Sequence, residues 1–159
     1  MIVGIDPGVA IIGYAFVREQ RGILTLIACD VIRTPSHTPL EDRLLSIYQQ
    51  IQTLLALHNP NEAAMETLFF GKNKKTAMQV GHARGVLMLA LSQYGLPLAE
   101  YGPSEVKMAL TGSGSAKKPQ VGEMVRTLLK LPVIPKPDDA ADAAAIAICH
   151  AHIATWRSQ

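Results

Sequence analysis

The first apolar run of the chain, Met1-Ile2-Val3-Gly4-Ile5, carries no polar side chain until it closes on Asp6, and Pro7-Gly8 then turn the chain. A short apolar run stopped by turn residues reads as a buried strand, Met1 to Asp6. A strand without an exposed face belongs inside a sheet that helices cover. Its ending leaves the Asp6 carboxylate at the strand's C-terminal edge, where open sheets build their sites. Asp before Pro-Gly is also common turn chemistry, so the later acids have to decide between the two.

Glu66 follows Ala63-Ala64-Met65 and precedes Leu68-Phe69-Phe70, which puts a charge in a stretch otherwise suited to burial. Burying a carboxylate without compensation is costly. Asp138-Asp139-Ala140-Ala141-Asp142 opens an alanine-rich helix on which Asp139 and Asp142, three apart, share one face. One of these aspartates caps the helix, but Asp142 lies too far inside it for that role.

Two further strands are expected at Ile12 to Arg18 and Leu24 to Ile32, antiparallel to their neighbours across short turns. Thr38-Pro39-Leu40-Glu41 matches a capping box with Pro at the first helical position, and Leu40, Leu44, Ile47, Tyr48, Ile51, Leu54 and Leu55 make the buried stripe of the helix that follows. Asn59-Pro60 stops it. A fourth strand is expected at Ala63 to Leu68, a helix at Thr76 to Gln93, and a fifth strand at Leu96 to Tyr101. Ser104 caps a short helix to Leu110. The Thr111-Gly112-Ser113-Gly114-Ser115 segment then leads to a helix from Gln120 to Lys130, and a final helix runs to Trp156. The order predicts an α/β fold, a mixed sheet covered by helices, in which the first strand can lie beside the fourth. Asp6 and Glu66 then become neighbours, and the last helix can bring Asp139 and Asp142 to the same point.

A chain of 159 residues with 48% apolar content suits one compact domain over residues 1–159. No apolar run reaches membrane-spanning length and the N-terminus lacks a basic signal region, so no membrane association and a cytoplasmic location are expected. Cys29 and Cys149, without CxxC spacing, read as two core thiols. His150 and His152, two apart on a helix, diverge, which disfavours a shared metal.

The net charge of +2 conceals an uneven distribution: residues 1–70 hold four Lys or Arg against seven acids, and residues 71–118 hold seven against two. The excess concentrates at Lys72, Lys74 and Lys75, directly after Phe69-Phe70, and again at Lys107, Lys117 and Lys118. Such clusters are often merely solvated loops. Rings beside ammonium groups, however, are what a nucleic-acid surface needs for unstacked bases and phosphates.

Four converging carboxylates need a cationic partner. Oxygen-only donors favour Mg²⁺ or Mn²⁺, and a pair of such ions about 4 Å apart clamps both oxygens of a phosphodiester displacement. The expected chemistry is metal-dependent phosphodiester hydrolysis.

Several motifs, in order, carry a resemblance: Gly4-Ile5-Asp6-Pro7-Gly8 with Gly13-Tyr14; Glu66 with Phe69; Lys72-Asn73 leading to Gly81-His82-Ala83-Arg84-Gly85-Val86; Pro103-Ser104-Glu105-Val106-Lys107; Gly114-Ser115-Ala116-Lys117-Lys118 with Met124-Val125-Arg126; and Asp139-Ala140-Ala141-Asp142-Ala143. Over essentially its whole length the chain resembles the RuvC-type Holliday-junction resolvases of the ribonuclease-H-like superfamily. That resemblance implies a five-stranded mixed sheet, its first three strands antiparallel, with helices on both faces. It implies that Asp6, Glu66, Asp139 and Asp142 are a catalytic, metal-binding tetrad for two Mg²⁺ ions, with Mn²⁺ as a substitute; the additional acid Asp138 reads as the helix cap and Asp139 as the ligand, the reverse assignment being the alternative. It implies that Phe69 stacks on an unpaired base and that Lys107 and Lys118 contact the scissile region or adjacent backbone; Phe70, Lys72, Asn73, Lys74, Lys75, Arg84, Ser115 and Lys117, the aromatic, basic and polar residues near them, complete the expected DNA-binding set. Paired cuts in a four-way DNA junction, leaving 5′-phosphate and 3′-hydroxyl ends during recombination and repair, imply a homodimer. Branch-migration motor proteins are further expected partners.

Ala77, Gly81 and Gly85 form a smooth helical stripe that suits either a dimer contact or packing on the sheet. Phe70, Lys74 or Lys75, and Pro119 depart from the family pattern. A ribonuclease H acting on RNA/DNA hybrids and a non-catalytic junction-binding module are the alternatives. An actin-like kinase shares the first strand but needs a second domain that a chain of this length does not supply.

Overall fold

The computed structural model describes the backbone of residues 1–67 and 74–157 and the side chains of residues 1–67 and 77–154. Its sheet has the order β3-β2-β1-β4-β5. β1 (Ile2–Asp6), β2 (Ile11–Gln20) and β3 (Ile23–Arg33) are antiparallel neighbours; β4 (Glu62–Glu66) runs parallel to β1, and β5 (Leu98–Tyr101) parallel to β4. The unbroken apolar run of β1 thus occupies the centre, where both of its faces are covered. Arg21 and Gly22, both at positive φ (53° and 78°), close the β2–β3 hairpin in the geometry that matches strand twist.

One face of the sheet packs on α1 (Leu40–His58) and α2 (Lys74–Gln93), the other on α3 (Pro103–Thr111), α4 (Lys118–Leu128) and α5 (Asp138–Arg157). Ile47, Ile51 and Leu55 of α1 are fully buried beside partly buried Leu40, Leu44, Tyr48 and Leu54, the stripe that the sequence periodicity predicts. The two-residue period of a strand sorts the side chains. Val3, Ile5, Ala63 and Met65 enter the α1/α2 core, and Ile2 and Ala64 enter the α5 core. Asp6 and Glu66, in phase with Ile2 and Ala64, therefore belong to the α5 face.

Several boundaries differ from expectation. β4 ends at Glu66, and β5 begins at Leu98 rather than Leu96. α2 begins at Lys74. α1 has Pro39, not Thr38, as its flanking residue, with no side-chain cap bond, so the Thr38 capping box does not form. α3 begins at Pro103 rather than being capped by Ser104; Glu105 Oε2 accepts the Gly102 N–H at 2.6 Å and satisfies that end. α4 begins at Lys118, ahead of the expected Gln120, because Pro119 suits a helix's first turn. Asp138 is the first residue of α5 rather than its cap; the Pro137 carbonyl accepts the Ala140 and Ala141 N–H groups. Cys29 and Cys149 are free thiols, and Cys29 donates to the Ala140 carbonyl at 3.1 Å.

Candidate active site

Close approach of α5 to the sheet builds the site, and missing side chains permit it. A Cβ on Gly4 would lie 2.2 Å from the Ala143 carbonyl oxygen, and a Cβ on Gly13 would lie 1.9 Å from the Asp139 carbonyl oxygen. Asp6 pairs with Gly13 across β1 and β2, so the first acid and the start of α5 meet at one point of the sheet. The parallel register that matches Ile5 with Met65 places Glu66 on the next strand.

Asp6, Glu66 and Asp142 line a cavity of about 230 Å³ together with Lys107 from α3 and Lys118 from α4. Val106, Val121, Ala145 and Ile146 form its apolar floor and walls. Asp139 is half-buried beside it and adds to the field on Asp6 without lining the cavity.

The electrostatics show how much negative charge this point holds. Burial, reinforced by Glu66, Asp142 and Asp139, pushes the Asp6 carboxyl up to about 7, while Lys118 pulls the other way. Burial and Asp142 likewise raise Glu66, with Lys107 and Lys118 opposing. Lys118 Nζ stands 2.8 Å from Asp142 Oδ2 and 3.7 Å from Asp138 Oδ2, and its hydrogen bond to Asp142 raises its own pKa. Asp138 looks outward to Lys136 Nζ at 2.8 Å, which holds its carboxyl below the usual range.

A hard divalent cation fits this donor set. The acids offer only oxygen, and their mutual repulsion leaves a demand for positive charge that the ammonium groups of Lys107 and Lys118 meet in part. Among the described residues no three acidic, imidazole or thiol side chains are gathered closely enough to form a ready-made cage. The acids ring a cavity instead, a spacing that suits an ion such as Mg²⁺, which keeps several waters and takes one or two carboxylates plus phosphate oxygens.

The remaining expected site residues are placed differently. Arg84 turns inward: it donates to the Glu66 backbone carbonyl and pairs with Glu100, and its side chain is only 12% exposed. It ties α2 to the end of the strand that carries Glu66, a use that its place in the Gly81–Val86 motif does not reveal. Ser115 and Lys117 are exposed at the entry to α4, where the Lys117 N–H donates to Gln120 Oε1 at 2.8 Å. Neither lines the acidic cavity. Phe69, Phe70, Lys72 and Asn73 lie outside the described residues, as do the side chains of Lys74 and Lys75. Sequence reasoning missed the Arg84–Glu100 brace and the pairing of Lys118 with Asp142, since neither has a sequence spacing that announces it.

A central strand ending in Asp6, a parallel neighbour ending in Glu66 and a helix carrying Asp139 and Asp142 across them define a ribonuclease-H-like nuclease domain. Residues 2–150 match the family model for crossover junction endodeoxyribonuclease RuvC, and the chain belongs to that family. It is 51% identical over 152 residues to a crossover junction endodeoxyribonuclease RuvC of Roseiflexus sp. (strain RS-1), covering 96% of this chain and 90% of that protein. The RuvC structure of Thermus thermophilus superposes with a TM-score of 0.92 at 36% identity, covering 98% of this chain and 96% of that one. The same protein in complex with a Holliday junction substrate gives 0.93 at 35% identity, covering 99% and 96%.

Proposed function

We propose that this protein resolves four-way DNA junctions by paired, symmetric phosphodiester hydrolysis leaving 5′-phosphate and 3′-hydroxyl ends, in recombination and repair. The observation that carries the reading is the meeting of Asp6, Glu66 and Asp142 with Lys107 and Lys118 around one cavity, in a chain that belongs to this family. Asp6, Glu66, Asp139 and Asp142 are the catalytic set and would hold Mg²⁺, with Mn²⁺ as a substitute. The ions, when bound, supply Lewis-acid stabilisation and water activation for an in-line displacement. The protein's part is placement. Lys107 and Lys118 bring ammonium groups to the phosphate, and the apolar walls restrict water around the carboxylates.

A junction with two-fold symmetry needs two such sites, so the working form is a homodimer. The outer face of α2 supports this assignment. Met78, Met88 and Leu89 are 61%, 41% and 54% exposed, and a Cβ on Gly85 of the same face would meet nothing within 4 Å. The inner face of that helix is a different one, formed by Ala83, Leu87, Ala90 and Leu91. Ala77 is buried and Gly81 half-buried, so the small-residue stripe runs from the inner side of the helix to the outer one. Phe69 and the lysines around it are the proposed junction contacts, branch-migration motors the further partners, and the cytoplasm the proposed location.

The deciding experiment offers the purified protein a synthetic four-way junction and an RNA/DNA hybrid duplex, each with Mg²⁺. Symmetric nicks in the junction and an intact hybrid support the reading. Preferential cutting of the hybrid strand would replace it with a ribonuclease H.

A further inference from the structure

Thr34 is one of two buried polar side chains among the described residues, 6% exposed where β3 gives way to the segment leading into α1. It faces the turn Pro7-Gly8-Val9-Ala10, which joins β1 to β2 and begins directly after Asp6. Its N–H donates to the Ala10 carbonyl at 3.0 Å, and its hydroxyl donates to the Val9 carbonyl at 2.5 Å. Arg43 of α1, half-buried, donates from Nε to the Thr34 hydroxyl oxygen at 2.9 Å. The hydroxyl is thus engaged on both sides, taking one hydrogen bond from the guanidinium and giving another to the backbone. The turn has little freedom of its own. Pro7 fixes its φ, a Cβ on Gly8 would lie 2.1 Å from the Ile11 carbonyl oxygen, and Val9 is buried in the α1/α2 core.

The arrangement parallels the one at Glu66, whose backbone carbonyl accepts from Arg84 of α2. Both acids belong to the α5 face of the sheet, and both are backed by an arginine from the opposite layer. At Asp6 the backing has a force to resist. Glu66, Asp142 and Asp139 repel its carboxylate, which drives the end of β1 away from the cluster unless the backbone beyond it is anchored. We propose that Thr34 and Arg43 form a positioning relay for Asp6, holding the turn behind that carboxylate so that its oxygens meet a divalent cation at bonding distance. Metal–oxygen distances are held to within about 0.2 Å, so a small displacement of this backbone is enough to weaken binding. In this role neither residue touches the cation or the DNA. The assignment rests on the nuclease reading above and adds the support behind one of its acids.

Three variants test the relay. Thr34→Val removes the hydroxyl at nearly constant shape, Thr34→Ser keeps it, and Arg43→Gln withdraws the guanidinium from the half-exposed end. Mn²⁺ affinity is measured without DNA by isothermal titration calorimetry, at a temperature where every variant is folded by circular dichroism. Thr34→Val and Arg43→Gln should bind Mn²⁺ about tenfold more weakly, the scale of a lost supporting hydrogen bond behind a metal ligand, and Thr34→Ser should stay within about twofold of wild type. On a synthetic four-way junction with Mg²⁺, the first two variants should lose kcat and keep the wild-type KM. In an Asp6→Asn background, where the ligand is already gone, Thr34→Val should cost no further Mn²⁺ affinity. A purely structural Thr34 would lower the melting temperature and leave the Mn²⁺ affinity of the folded protein unchanged. That result, or losses from Thr34→Val and Asp6→Asn that multiply, overturns the relay. Weaker Mn²⁺ binding by Thr34→Val, in a protein whose wild type nicks no junction, would keep the relay and defeat the nuclease reading instead.

Discussion

Gly13 of β2 and Asp139 of α5 touch through their backbones, so closely that a Cβ on Gly13 would stand 1.9 Å from the Asp139 carbonyl oxygen. Gly13 is also the strand partner of Asp6. The absence of one side chain therefore sets the distance between the acid of the sheet and the acids of the helix. Gly13→Ala should force α5 off the sheet, costing about 1–3 kcal/mol as overpacking does and more activity than stability. Calorimetry together with a junction-cleavage assay checks this; unchanged cleavage would show that the helix position is not what aligns the acids.

Replacing Asp6, Glu66, Asp139 or Asp142 with its amide should abolish incision while leaving junction affinity within a few-fold of wild type. An amide preserves shape but removes the charge that holds a cation. Gel shifts in Ca²⁺ and nicking in Mg²⁺ separate the two properties. Wild-type nicking by Asp142→Asn would remove that residue from the set.

Asp6 gives stability a pH signature in the presence of a chelator. Its carboxyl, raised from 3.8 to about 7, binds a proton more tightly folded than unfolded. Its contribution is therefore fully present at low pH and is lost as pH rises across that interval. Melting temperatures from pH 4 to pH 7 should decline more for wild type than for Asp6→Asn, and Mg²⁺ should reduce the decline by favouring the ionised form. Parallel profiles for the two proteins would show that this carboxyl is not perturbed.

Lys107 and Lys118 line the acidic cavity whereas Lys117 does not, so the three lysines should behave differently. Lys107→Ala and Lys118→Ala should each weaken junction binding or cleavage and reduce the salt slope by about one unit for every phosphate no longer neutralised. Lys117→Ala and Lys136→Ala serve as comparisons for the slope. Identical behaviour of all four would mean a diffuse positive surface.

Gly85 lies on the open face of α2, where substitution leaves the protomer's own packing untouched. Gly85→Gln should yield a folded monomer, by analytical ultracentrifugation and circular dichroism, that no longer makes paired cuts. A dimer of unchanged affinity would move the interface elsewhere.

Much of this architecture was legible in local pattern. The apolar run ending at Asp6, the α1 stripe through Ile47, Ile51 and Leu55, and the alanines after Asp142 each carry their period in neighbouring residues, so strand order and the meeting of Asp6 with Glu66 followed from them. Helix starts were less legible. Thr38, Ser104 and Asp138 are good caps by type, yet Pro39, Gly102 and Pro137 take the flanking positions because backbone geometry and a single reaching side chain, Glu105, decide which residue leaves the helix.

The sequence by itself determined which acids exist and on which face of each element they fall, since strand and helix periods are local properties of the chain. Tertiary structure alone decided that Lys118 enters the cluster to meet Asp142, that Arg84 braces the Glu66 backbone instead of facing outward, and that Thr34 joins Arg43 to the turn after Asp6. The first two of these pairings join residues 24 and 18 positions apart in the chain. Their partners are chosen by how the helices settle on the sheet and on one another, a quantity that no local period encodes.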